Sequence, residues 1–112
     1  MNDLAIGLKR LGLTQYQSSA LSIILSNEGC TAVFISDNGG IPITKVYSVL
    51  QSLEYMGFIR ANLERPKKYF SIGIENIFSS LVDKHKQALM QLRKEAKKTV
   101  KLVNQNLAVA TA

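Results

Sequence analysis

No glycine or proline follows Gly73, so the chain from Ile74 onward is free to run as one uninterrupted helix. Within it Phe78, Val82, His85, Leu89, Leu92, Ala96, Thr99, Val103 and Asn106 succeed one another in alternating steps of four and three, the heptad seam of a coiled coil. The spacing predicts a helix over 74–107, with 108–112 a disordered tail. About 30 residues at ~1.5 Å each make a rod roughly 45 Å long. A domain of this size cannot cover such a rod, and a second copy of the chain is the expected cover. Phe78, Val82, His85, Leu89, Leu92, Ala96 and Val103 are therefore the expected dimerisation residues.

Residues 1–73 must hold the folded core. The chain has 112 residues, of which 46% are apolar and 20% charged, which suits one packed domain with an appended element and argues against global disorder. A lead-in helix over 3–11 carries Leu4, Leu8 and Leu11 and breaks at Gly12. Thr14 with Gln17 three residues on forms a capping box for a helix over about 15–28, ended by Gly29 with Cys30 packing back on Leu25. Thr31 caps a two-turn helix through Ala32, Phe34 and Ile35 that Asn38-Gly39-Gly40 terminates. So short a helix cannot bury Val33, Phe34 and Ile35 together in one core, and Val33 is expected to be exposed or covered by a partner, the alternative being packing against the lead-in helix. Pro42 fits the first position of a third helix whose buried stripe is Val46, Leu50 and Leu53, with Gly57 ending it and Phe58 folding back on Leu53. The period then changes to that of strands: 58–63 and 68–72 form a hairpin around Glu64-Arg65-Pro66-Lys67. Two strands alone are marginal, so the hairpin must lean on the helices or recruit Cys30-Thr31 as a third strand. The expected fold is mainly α with a small β-hairpin, a winged helix-turn-helix over 1–73 followed by the long dimerisation helix.

Charge is uneven along this framework. Lys and Arg stand against Asp and Glu as 3 to 4 over residues 1–57, 4 to 1 over 58–73 and 7 to 3 over 74–112. The excess favours a polyanionic partner, nucleic acid before a membrane surface. No apolar run approaches the ~18–20 residues that cross a bilayer; Ala20 to Leu25 is broken by Ser22. The lone Cys30 can form no intramolecular disulfide, and no export signal opens the chain, so a cytoplasmic, intracellular protein is expected.

The residues from Leu8 to Ile72 resemble the N-terminal winged-helix domain of the archaeal TrmB-type transcriptional regulators. The likeness is carried by Leu8-Lys9-Arg10-Leu11-Gly12-Leu13-Thr14, Gly40-Ile41-Pro42, Lys45-Val46-Tyr47, Leu50, Leu53, Gly57-Phe58-Ile59 and Arg65-Pro66-Lys67-Lys68-Tyr69, with no gap needed. It implies a DNA-binding role in transcription, the third helix as recognition helix and residues 64–68 as the wing. Two departures stand out: Ile43 follows Pro42 where the family often has a basic residue, and only the long helix follows the winged helix, so sugar sensing is not expected.

With Val46, Leu50 and Leu53 facing the core, Thr44, Lys45, Ser48, Gln51 and Ser52 turn outward. Hydroxyls and amides of this kind suit the major groove, where Gln pairs with adenine. Tyr47 is either a core-edge aromatic or a phosphate ligand. Arg65, Lys67 and Lys68 surround a proline that stiffens the wing, and Arg60 lies on the preceding strand, so all four are expected DNA contacts. Arg93, Lys94, Lys97, Lys98 and Lys101 form a solvated face or touch DNA flanking the site. His85 is the only histidine and offers no metal partner set, while Cys30 lacks a base and packs as a small apolar residue. No phosphate-binding loop or nucleophile motif appears. A non-enzymatic, homodimeric, sequence-specific regulator of double-stranded DNA is expected, with no cofactor, metal, membrane or small-molecule effector. The alternatives are a protein-interaction module and a non-specific architectural DNA binder.

Overall fold

The computed structural model describes residues 3–111, and the side chains of residues 3–107. The chain forms two compact units, Met1–Ser79 and Ser80–Ala112. The elements run α1 (Asp3–Arg10), α2 (Gln15–Ser26), β1 (Cys30–Thr31), α3 (Ala32–Gly39), α4 (Ile43–Tyr55), β2 (Ile59–Ala61), β3 (Lys68–Ser71) and α5 (Ile74–Thr111).

Local signals set most of the boundaries. Thr14 and Gln17 close the capping box of α2 from both sides, the Thr14 hydroxyl accepting from the Gln17 N–H at 3.1 Å and the Gln17 amide oxygen accepting from the Thr14 N–H at 3.0 Å. The helix stops at Ser26, two residues earlier than periodicity suggested. Asn27 takes the cap, and Glu28 leaves the helix to accept from the Ser71 N–H at 2.7 Å and from the Ser71 hydroxyl. Gly29, at a φ of 84°, then donates its N–H to the Tyr69 carbonyl at 2.9 Å. A side chain there would be strained by the positive φ and would meet the Phe70 ring at 3.2 Å.

Thr31 caps α3 by accepting from the Phe34 N–H at 3.2 Å. Pro42 is the residue before α4 rather than its first turn: its φ of −54° and ψ of 138° are extended, and its carbonyl accepts the first helical bond, from the Val46 N–H at 3.0 Å. At the far end Phe58 donates to the Leu53 carbonyl at 3.1 Å across Gly57, whose φ is 78°, and Phe58 is buried. This is the glycine-terminated helix end expected from the sequence.

The hairpin does recruit a third strand. The antiparallel order is β1-β3-β2, with Cys30 opposite Tyr69, and Arg60 and Ala61 opposite Phe70 and Tyr69. Both hairpin strands are shorter than the 58–63 and 68–72 expected. The core of the first unit is built from Leu8, Leu21, Ile24, Ile35, Ile41, Val46, Leu50, Leu53, Phe58 and Ile77, all essentially sealed from solvent. Each such side chain contributes about 1.5–3 kcal/mol of apolar burial. Val33 and Phe34 are exposed while Ile35 is sealed, as the length of α3 requires.

In α5 the helix runs to Thr111, past the residue 107 expected. Of the disordered tail expected over 108–112, the side chains and Ala112 lie outside the described residues. Ile77 and Leu81 are the buried positions of its first turns. Phe78, one position on, is half-buried, and Val82, His85, Leu89, Leu92, Ala96 and Val103 are all exposed.

Candidate nucleic-acid interface

The stripe Val46, Leu50 and Leu53 fixes α4 against the core, with none of the three more than 1% exposed. Helical geometry then presents Thr44, Lys45, Tyr47, Ser48 and Gln51 to solvent, and all five are exposed. They differ in what they have left to offer. The Ser48 hydroxyl donates to the Lys45 carbonyl at 2.9 Å, leaving oxygen lone pairs to accept a bond. The Lys45 ammonium sits 5.8 Å from the centroid of the Tyr16 ring, held at the first turn of α4 by an aromatic from α2.

Ser52 departs from the expected outward face. It is half-buried, donates to the Val49 carbonyl at 2.6 Å and accepts from the Gln17 side-chain amide at 3.1 Å, so it joins α4 to α2. The cause is angular: Ser52 lies beside Leu53 on the edge of the stripe, and the amide of Gln17 can reach it there.

The wing sorts its cations into three environments. Asn62 organises the loop by accepting from the N–H groups of Glu64 at 3.2 Å and Lys68 at 2.9 Å. Lys68 pairs with Glu64 at 3.4 Å, which offsets its charge locally. Arg60 stands opposite Phe70 in the ladder, and its guanidinium lies 5.0 Å from the Phe70 ring. Successive strand residues face opposite sides, so Arg60 and Phe70 are on the other side of the sheet from Ala61 and Tyr69.

Arg65 and Lys67 alone among the four converge with α4. Together with Pro66 they border a groove of about 280 Å3 whose other walls are Tyr47, Tyr69 and the start of α3 at Thr31, Ala32 and Val33. The first N–H groups of a helix lack partners within it, and the helix dipole makes this end favourable for negative charge. Burial pushes the Tyr69 phenol pKa up, with smaller contributions from Glu54 and Tyr47, which keeps its hydroxyl a neutral donor. Two cations, phenolic hydroxyls and a helix N-terminus make a concave surface suited to a phosphate.

Sequence reasoning missed the contribution of Thr31–Val33 to this groove and of Tyr16 beneath Lys45. The exposed Val33 was a signal for the first; nothing in the spacing of Tyr16 pointed to the second. Burial raises the Cys30 thiol pKa above its ordinary value, which disfavours a thiolate nucleophile. Among the described residues no cluster of His, Cys, Asp and Glu could hold a metal, and no helix is long and apolar enough to cross a membrane.

Residues 8–75 match the family described as sugar-specific transcriptional regulator TrmB. The chain is 28% identical over 95 residues to the HTH-type sugar sensing transcriptional regulator TrmBL1 of Pyrococcus furiosus, a match covering 79% of this chain and 28% of that one. Its fold is similar to that of TrmBL2, an archaeal chromatin protein with a novel mode of DNA binding, at a TM-score of 0.82 and 19% identity over 94% of this chain and 41% of that one. It is also similar to MepR of S. aureus in complex with DNA, at a TM-score of 0.52 and 19% identity over 85% of each chain. The chain thus spans less than half the length of the first two relatives. The structural likenesses establish the winged-helix fold.

Proposed function

The chain belongs to the TrmB family of transcriptional regulators, and from that premise we propose that it binds specific double-stranded DNA sequences as a homodimer. The observation that carries the DNA reading is the convergence of Arg65, Lys67 and Tyr47 on the N-terminus of α3, beside the exposed polar face of α4. Arg65, Lys67 and the α3 N-terminus hold phosphates and set register. Thr44, Lys45, Ser48 and Gln51 face base edges, Gln51 as the one amide able to read adenine in two places. Lys68 and Arg60 act as secondary contacts at the rim.

The homodimer rests on α5. Val82, Leu89, Leu92, Val100 and Val103 are 41–67% exposed in the single chain, an apolar stripe too long to leave in water. Along it the steps run 89, 92, 96, 100, 103, so Val100 takes the place expected for Thr99, whose hydroxyl donates back to the Glu95 carbonyl at 2.9 Å. Two successive steps of four form a stutter, which locally unwinds the supercoil. Two-fold pairing makes the target an inverted repeat with half-sites about one turn, roughly 34 Å, apart.

Selection of the purified protein on a random duplex library tests this reading. An enriched inverted repeat is the expected result. Enrichment of nothing, with random duplex bound equally well, would instead mark an architectural binder, and no binding at low salt would leave a protein-interaction module.

A further inference from the structure

A second groove, of about 380 Å3, lies between α1, α2 and the turn that ends α3. Gln15, Ser18, Ser19 and Ser22 line it from one face of α2, and the core residues Ala20, Leu21 and Ile24 occupy the opposite face. Lys9 and Tyr16 form further parts of its wall, and Asn38, Gly39 and Gly40 close it from α3.

Among the buried side-chain polar atoms of this groove, one has no hydrogen-bond partner. Ser19 donates to the Gly39 carbonyl at 2.7 Å, Ser22 to the Ser19 carbonyl at 2.9 Å, and the Asn38 amide to the Phe34 carbonyl at 2.9 Å. The Ser18 hydroxyl has no partner, although the residue is only 2% exposed. A buried hydroxyl is ordinarily paired, and an unpaired one in a concave site marks a place where something else supplies the bond. The lining contains a lysine and no acidic residue, and among the described residues Lys9 forms no ion pair. A guest matching these walls carries one negative charge and at least one hydroxyl. The groove lies in the lower part of the ~300–1,000 Å3 range of small-molecule sites.

We propose that this groove binds a small hydroxylated carboxylate, its anionic end at Lys9 and its hydroxyl at Ser18. Occupancy bears on DNA binding, a clause that rests on the function proposed above. Tyr16 lines the groove and lies beneath Lys45 of α4, and Gly39 and Gly40 lead through Ile41 and Pro42 into the same helix. A guest in contact with either shifts the first turn of α4.

Amide chemical shifts of the full chain, titrated separately with D-glycerate, glycerol and propionate, test the site. The last two probes each lack one of the two features required. D-glycerate should give saturable shifts over residues 15–22 and 38–45, with the other two weaker by about tenfold or more. Lys9→Gln and Ser18→Ala should each weaken D-glycerate by about tenfold. Ser18→Ala should stay folded with an unchanged or higher Tm, since it removes an unpaired buried hydroxyl. Absence of saturable shifts, equal response to glycerol, or full affinity in a folded Ser18→Ala variant would overturn the site. So would the same amides responding to random duplex and not to D-glycerate, which would make the groove part of the DNA surface. A chain that binds D-glycerate and no DNA keeps the site and loses only the regulator reading. If it binds both, saturating D-glycerate should change duplex affinity by about threefold or more, and by reciprocity duplex changes D-glycerate affinity equally; no change removes the coupling.

Discussion

Helices α4 and α5 are both amphipathic, and the two meet opposite fates. The apolar stripe of α4, Val46, Leu50 and Leu53, is sealed within the first unit, while Leu89, Leu92 and Val103 of α5 stand 48%, 67% and 51% exposed. The polar faces differ in the same sense: that of α4 is hydroxyls, an amide, one lysine and Glu54, whereas α5 carries Arg93, Lys94, Lys97, Lys98 and Lys101 within nine residues. The contrast teaches that helical periodicity specifies which side of a helix needs cover and is silent on what supplies it. For α4 the cover lies within the same chain. For α5 the single chain leaves that side exposed, and the dimer proposed above would supply its cover.

Breaking the α5 side of this contrast should have the largest effect. Leu89→Asp with Leu92→Asp places four charges in each paired seam and forfeits on the order of 1 kcal/mol or more at each partly exposed leucine. The dimer dissociation constant should rise by at least about 10³-fold, measured by sedimentation equilibrium. Hydrogen exchange of α2 and α4 should change little. An unaltered protein that is monomeric at micromolar concentration would defeat the association role. Val100→Asp should weaken the dimer more than Thr99→Asp, and the reverse order would restore the strict heptad.

The next effect belongs to the wing. If each protomer neutralises about four phosphates, log K against log salt should fall with a slope near −7 for the dimer. Arg65→Ala with Lys67→Ala should bring it to about −4 and weaken every sequence alike. Lys68→Ala should do less, because Glu64 already pairs with it.

Smaller changes sharpen the α4 side. Gln51→Ala should cost the preferred site about 1–3 kcal/mol and spare random duplex. Ser48→Ala should cost less, since its hydroxyl proton already serves the Lys45 carbonyl. Ser52→Ala should leave sequence preference intact and lower stability by about 1 kcal/mol through the lost Gln17 bond, read as a shift in Tm. If Ser52→Ala alters sequence preference instead, the boundary between the buried and reading faces of α4 has been drawn in the wrong place.

The sequence by itself determined the order of elements and the class of the chain. The capping box at Thr14 and Gln17, the Thr31 cap and the glycine end at Gly57 and Phe58 act over three to five residues, so their physics is complete within a short window. The family likeness over the winged helix has the same origin, since its motifs sit at those fixed local spacings. Tertiary structure decided everything that depends on two distant segments meeting. Glu28 accepts from Ser71 just past the end of α2, and Gln17 bonds Ser52 at the edge of the buried stripe of α4 from 35 residues away. A ladder register that no local signal encodes sent Arg60 to the Phe70 side of the sheet and left Arg65 and Lys67 to close the groove on α3. Burial is likewise a property of the assembled core: the pattern of α5 marked a seam beginning at Phe78, but only packing within the first unit showed that Ile77, one position before it, is the residue sealed.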